Sequence, residues 1–292
     1  MNAAYFLLII LASCTQSILS KLYIKKSRNV YVFNIGKSLL AFLAFVLLGI
    51  FINKSYSVHI PTLIYSAVFG IFVFASMYLG YLALVCGPMS VTSTIVSFSL
   101  VIPSAYGIMI LGEPLTAYKV LGFIFLAASL LLFNAKKKDE RKASVKWLIF
   151  TLLTLVSNGL GSVLQKMHQI SFPGQYTTEF MRDSMLLSVV GYIVLLFVLR
   201  LIKKDENEAH NERVSTGGII CSLFAGIANA ANYFFTLLLT AKSDASALFP
   251  MISAGTIIAL FISGRLIFGE KHHGVQILAL LFGMASIILL KL

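Results

Sequence analysis

Four cationic side chains stand inside stretches that are otherwise apolar: Lys21, Lys37, Lys166 and Arg182. A charge at the centre of a helix in hydrocarbon costs about 2.5–3.5 kcal/mol on insertion scales, so such residues face a partner or a water-filled cavity. Lys37 and Arg182 each lie about seven residues into an apolar run, roughly 10 Å along a helix axis. Arg182 has two acids nearby, Glu179 one turn earlier and Asp183 beside it. Successive helical residues diverge by about 100°, so Glu179 is the expected partner. Lys37 has no acid near it in sequence and is the stronger candidate to hold an anionic group, a carboxylate or a phosphate. Lys21 and Lys166 sit in related phrases, "SILSKL" and "SVLQKM". Lys21 alone reads as an interfacial cation whose stem lies in lipid. Its recurrence as Lys166 predicts a shared role, lining an approach or bracing the inner ends of two helices.

Hydrogen-bonding groups follow the same logic. Asn229, Asn232 and Tyr233 are spaced i, i+3, i+4 and share one helix face. Their amides either contact a substrate or tie helices together. Tyr78 and Asn158 are further candidates to line a cavity, and His168 reads as interfacial. Glu113 in "LGEPLT" and Glu270 in "FGEKHHG" form a duplicated pair of acids. Each follows a glycine that suits a helix end, so both are expected to be structural, each at the positive end of the next helix. Pro103 and Pro250 lie within apolar runs and are candidate hinges. The cysteines Cys14, Cys86 and Cys221 are scattered and indicate neither a disulfide framework nor a metal site. A nucleotide loop of the G-x-x-x-x-G-K-[ST] type is missing, as is any paired nucleophile and base, so no enzyme and no cofactor is expected.

The elements that must position these groups are membrane helices. Hydrophobic residues make up 59% of the chain and charged residues 12%, with a mean hydropathy of +0.92. Soluble domains carry about 25% charged residues, so this chain cannot cover a globular surface. The net charge of +12 lies mostly between apolar runs, the pattern of loops near anionic headgroups, and nucleic acid is not an expected partner. The N-terminus lacks the basic start of a cleaved signal peptide and reads as a retained first span. Ten segments are long enough to span: 3–22, 31–52, 61–84, 89–112, 115–134, 146–168, 176–200, 216–240, 245–268 and 273–290.

The chain predicts an all-α integral membrane fold of ten transmembrane helices in two inverted five-helix repeats. The first repeat is 1–134, a basic linker spans 135–145, and the second repeat is 146–292. An offset of 145 places Ser17 on Ser162, Lys21 on Lys166 and Lys37 on Arg182. Further on, an offset of 157 places Gly112–Glu113 on Gly269–Glu270 and Ser129 on Ser286. Five spans per half is odd, so the second half enters the membrane upside-down, an arrangement of secondary transporters. Lys and Arg concentrate in the odd-numbered loops, which predicts those loops in the cytoplasm and both termini outside a cell membrane.

The "LGEPLT…K…G" stretch running into span 5, with Lys119 and Gly122 as its last two members, its partner "FGEKHHGVQILALLFGMASI", the lysine ending span 1 and the basic residue early in span 2 resemble the EamA-type drug/metabolite transporters. The resemblance covers both halves. It implies a central cavity lined by spans 1–4 and 6–9, and spans 5 and 10 packed together through small residues such as Gly122, Ala127, Ala279 and Gly283. Members of the family mostly keep both termini in the cytoplasm, so the charge bias here is a departure. The expected function is alternating-access transport of a small organic metabolite, anionic or zwitterionic. Alternatives are a flippase for a phosphate-bearing lipid, an exporter of neutral or cationic drug-like compounds and, remotely, a polytopic membrane enzyme. The expected partners are the small-molecule substrate and the bilayer. Coupling to a proton or a counter-substrate, and a monomeric or homodimeric state, stay open.

Overall fold

The computed structural model describes residues 2–26, 29–53, 58–87, 89–134, 144–202, 216–268 and 274–292. Glu270, most of the 135–145 linker and most of the loop cations that set the expected orientation lie outside them. All regular elements among the described residues are helical: α1 (Ala3–Lys26), α2 (Val30–Asn53), α3 (Ile60–Cys86), α4 (Met89–Ser97), α5 (Val101–Met109), α6 (Ala117–Asn134), α7 (Val145–Ser171), α8 (Thr177–Ile202), α9 (Thr216–Thr240), α10 (Ala245–Phe268) and α11 (Gly274–Lys291). Eight apolar stretches are long enough to cross a membrane, with α4 and α5 forming one of them. Two shorter apolar helices, α6 and α11, accompany these. The chain is a multi-pass α-helical membrane protein.

A 3₁₀ turn at Phe98–Leu100 separates α4 from α5. Pro103 has no N–H to donate, and its ring crowds the carbonyl four residues back, within that turn. Tightening to 3₁₀ relieves the crowding, so Pro103 does mark a local irregularity. Pro250, by contrast, sits inside an uninterrupted α10. The carbonyl that it deprives of a partner belongs to Ser246, and the Ser104 hydroxyl lies 3.5 Å from that oxygen, while also 2.9 Å from Leu100 O.

The residues group into two compact units. One comprises Met1–Phe6, Ala75–Met167 and Leu239–Leu292, the other Leu7–Phe74 and His168–Leu238. In the first unit α6 and α11 lie against each other, antiparallel. A Cβ on Gly122 would stand 2.8 Å from Leu290, and the Ser129 hydroxyl donates to Ala279 O at 2.7 Å. A Cβ on Gly283 would meet Ser129 Oγ at 3.2 Å. Ala127 departs from expectation: it lines an apolar groove between α5 and α6. The indole of Trp147, at the start of α7, donates to Thr92 Oγ1 at 2.7 Å and covers Gly87.

In the second unit α2 packs on α8, also antiparallel: Gly49 approaches Thr178, and Phe45 and Arg182 line one small cleft. Two close approaches depend on absent side chains. A Cβ on Gly226 of α9 would lie 2.6 Å from Lys37 O and 2.8 Å from Leu40 Cβ on α2. One on Gly70 of α3 would lie 2.9 Å from Ser184 O on α8, and Ser184 Oγ lies 3.1 Å from Ser66 O. Small residues and hydroxyls let backbones meet where hydrophobic burial supplies no drive between helices.

Candidate functional site

Lys37 lies on the buried face of α2 at 7% exposure, with Asn34 at 6% and Ser38 at 0%. Asn34 is one turn earlier, at i−3 from Lys37 and i−4 from Ser38, so the three form a polar patch on an apolar helix. Among the described residues no acid pairs with the Lys37 ammonium, and the Ser38 hydroxyl is buried without a hydrogen-bond partner. The phenol of Tyr192 on α8, in the same unit, is likewise buried and unpartnered. A lysine offers three donors and no acceptor, and the Ser38 hydroxyl can donate as well. The patch therefore suits an acceptor-rich anionic group. Asn34 and Ser38 escaped the reading of the sequence, although their spacing around Lys37 was the available signal.

Arg182, which the sequence offset of 145 aligns with Lys37, is a different case. Its Nε donates to Asp183 Oδ1 at 2.6 Å and its Nη2 to Asp183 Oδ2 at 3.1 Å. Glu179, the partner that helical spacing pointed to, accepts from Thr178 Oγ1 at 2.9 Å and lines the same small cleft as Arg182. A long guanidinium folds back along its own helix, and its planar fork matches both oxygens of the adjacent carboxylate. With its charge matched by Asp183 and the residue 4% exposed, Arg182 is committed to an internal pair.

Asn229 and Asn232 act as ties between α1 and α9. Asn229 Oδ1 accepts from Gln16 Nε2 at 2.7 Å, and its Nδ2 lies 3.8 Å from Met185 Sδ. Asn232 Nδ2 donates to Ser13 Oγ at 2.5 Å and lies 3.4 Å from Ile9 O. Tyr233 packs edge-on against Phe69, with ring centroids 5.7 Å apart. All three, with Lys37 and Arg182, belong to the second unit. Tyr78 and Asn158 are half-buried in the first.

The other charged cluster is in the first unit, at the turn joining α9 to α10. Glu113 does sit at the positive end of a helix, but the helix is α10 and not the next one in sequence. Its Oε1 accepts from Ala245 N at 2.7 Å and its Oε2 from Ser246 N at 2.8 Å. These are N–H groups that a helix start leaves without partners. The carboxylate rests on Gly107, where a Cβ would collide with it. Lys166 donates to Ser243 O at 2.6 Å and Thr240 O at 3.2 Å, and lies 4.0 Å from Glu113 Oε1. One carboxylate thus holds a helix N-terminus and one ammonium a helix C-terminus, each matching the local dipole. Lys119 completes the cluster, 3.1 Å from Asp244 Oδ2 and 3.2 Å from Ser246 Oγ. Asp244 did not stand out in the sequence, and its distance of 125 positions from Lys119 leaves no local sign of the pair.

Two expectations fail on burial. Lys21 is exposed, five residues before α1 ends at Lys26, whereas Lys166 is buried, so the two lysines do not share a setting. His168 is not interfacial but fully buried. It stacks on Phe180 at 4.3 Å and meets Tyr65 edge-on at 5.7 Å. The described residues contain no cluster of His, Cys, Asp and Glu able to hold a metal.

No family model and no curated protein matches the chain. Among solved structures 28 chains match. One, described only as the crystal structure of a protein, superposes with a TM-score of 0.75 at 12% identity, covering 98% of this chain and 94% of that one. At that identity the likeness is one of fold.

Proposed function

We propose that this chain is a secondary transporter of the EamA-type drug/metabolite class, moving a small organic anion or zwitterion by alternating access. In this reading ten spans form two inverted five-helix repeats in a cell membrane, with both termini outside. The observation that carries the substrate class is Lys37: an ammonium buried within a span, lacking an acid partner among the described residues and flanked by Asn34 and Ser38. Such a charge is retained at a cost of a few kcal/mol. A substrate carboxylate or phosphate that neutralises it recovers that cost on binding. The repeat arrangement is supported by helix pairing. Counterparts under the sequence offsets, α2 with α8 and α6 with α11, pack antiparallel against each other. An in-plane two-fold relation brings together counterpart elements that lie near its axis.

The test is thermal stabilisation of purified protein by anionic, zwitterionic, neutral and cationic metabolites, repeated with Lys37→Gln. A ligand at 100 times its Kd stabilises by about 2.7 kcal/mol. Anions should stabilise the wild type and not the variant, whose unliganded melting temperature is maintained. Stabilisation by neutral or cationic compounds that survives Lys37→Gln refutes the anion reading.

A further inference from the structure

A groove of about 480 Å³ runs between α5 and α6, bounded by Phe98, Val101, Ile108, Leu115, Ile124 and Ala127 among others. Its single polar lining residue is Ser104, whose hydroxyl already bonds Leu100 O at 2.9 Å. Nothing in it can recognise a polar ligand. The α5 wall belongs to a membrane-spanning stretch, and Val101, Leu115 and Ile124 are 53%, 55% and 57% exposed. The medium facing this groove is therefore hydrocarbon.

Dimensions identify the occupant. Along α6 from Val120 to Leu130 the groove extends roughly 15 Å at 1.5 Å per residue, with Leu115 ahead of the helix start. One leaflet of the hydrocarbon core is about 15 Å deep. Taking a methylene as close to the 30 Å³ share of a water, the volume holds about sixteen of them. The Leu115 end adjoins exposed Tyr118, a residue type that gathers at the membrane–water boundary. We infer that the α5–α6 groove is a lipid site that seats one acyl chain of a phospholipid, headgroup at the Leu115 end and chain tip near Phe98 and Leu130. The site holds independently of whether the chain transports a metabolite.

The test uses full-length protein in phosphatidylcholine vesicles that contain phosphatidylcholine bearing a diazirine on its palmitoyl chain. After irradiation, mass spectrometry maps the adducts. They should concentrate on residues 98–108 and 120–130, well above Val190, Ile193 and Val194 of α8, which are comparably exposed and lie outside this groove. Ala127→Trp, which fills the groove, should abolish the α5–α6 adducts and leave the α8 background. Native mass spectrometry of the wild type should show one retained phospholipid that the variant lacks. Adducts in proportion to exposure, on groove and α8 alike, would make this ordinary boundary lipid and overturn the inference, whatever the variant does. Crosslinks from the groove to a second copy of the chain would overturn it as well.

Discussion

Glu113→Gln isolates what the carboxylate does at the start of α10. The wild-type side chain accepts two backbone N–H bonds, at 2.7 and 2.8 Å, and is 8% exposed. Hydrogen bonds to a charged group contribute about 1.5–3 kcal/mol each, and an unsatisfied buried donor costs about 1–3 kcal/mol. Glutamine keeps one acceptor but turns an NH₂ toward the second N–H, and it takes from Lys166 the carboxylate 4.0 Å away, leaving the more distant Asp244. The expected loss is about 2–4 kcal/mol, and Glu113→Ala should cost more because both N–H groups lose their partner. Equilibrium unfolding in mixed detergent micelles measures the difference, and amide exchange at Ala245 and Ser246 locates it. A Glu113→Gln protein within about 0.5 kcal/mol of wild type, with unchanged exchange at those two amides, would refute the capping argument.

Other perturbations follow from the same contacts. Gly226→Ala should destabilise by about 1–3 kcal/mol, because its methyl collides with backbone at Lys37 and forces α2 and α9 apart; thermal unfolding reads this. Asn232→Leu should cost only about 0.6 kcal/mol, up to 1.7, the range for interhelical hydrogen bonds in membranes, and should leave anion-induced stabilisation intact. Loss of that stabilisation would return Asn232 to the substrate site. Trp147 is the chain's single tryptophan, so Thr92→Val should shift its emission by removing the indole's acceptor, and an unchanged spectrum would count against that bond.

The positions of the helices were legible because a span is declared by local composition: expected runs such as 245–268 and 216–240 coincide with α10 and α9. Partners were harder to read. Glu113 was recognisable as a helix-end acid, yet its helix begins 132 positions away, and capping from a distance leaves no local pattern. Helices that are apolar on nearly every side show no stripe to indicate which face meets protein and which meets lipid. The same lack of a stripe hid the burial of His168 and the turn of Ala127 toward the groove. Lys21 and Lys166 share a phrase and not an environment, because burial depends on what packs beside each helix. The Lys37 patch was half visible: the cation drew notice, while Asn34 and Ser38 were overlooked as ordinary polar residues.

The paired helices α6 and α11 have a consequence for the membrane itself. The helices themselves, Ala117–Asn134 and Gly274–Lys291, are 18 residues each and measure roughly 27 Å at 1.5 Å per residue. A typical hydrocarbon core is about 30 Å thick. The 27-residue helices α3 and α7 reach roughly 40 Å and can fit that thickness only by tilting or by extending beyond it. The same chain thus carries helices of about 27 Å and of about 40 Å. Where α6 and α11 set the local thickness, the bilayer must give by about 3 Å, at fractions of a kcal/mol per ångström.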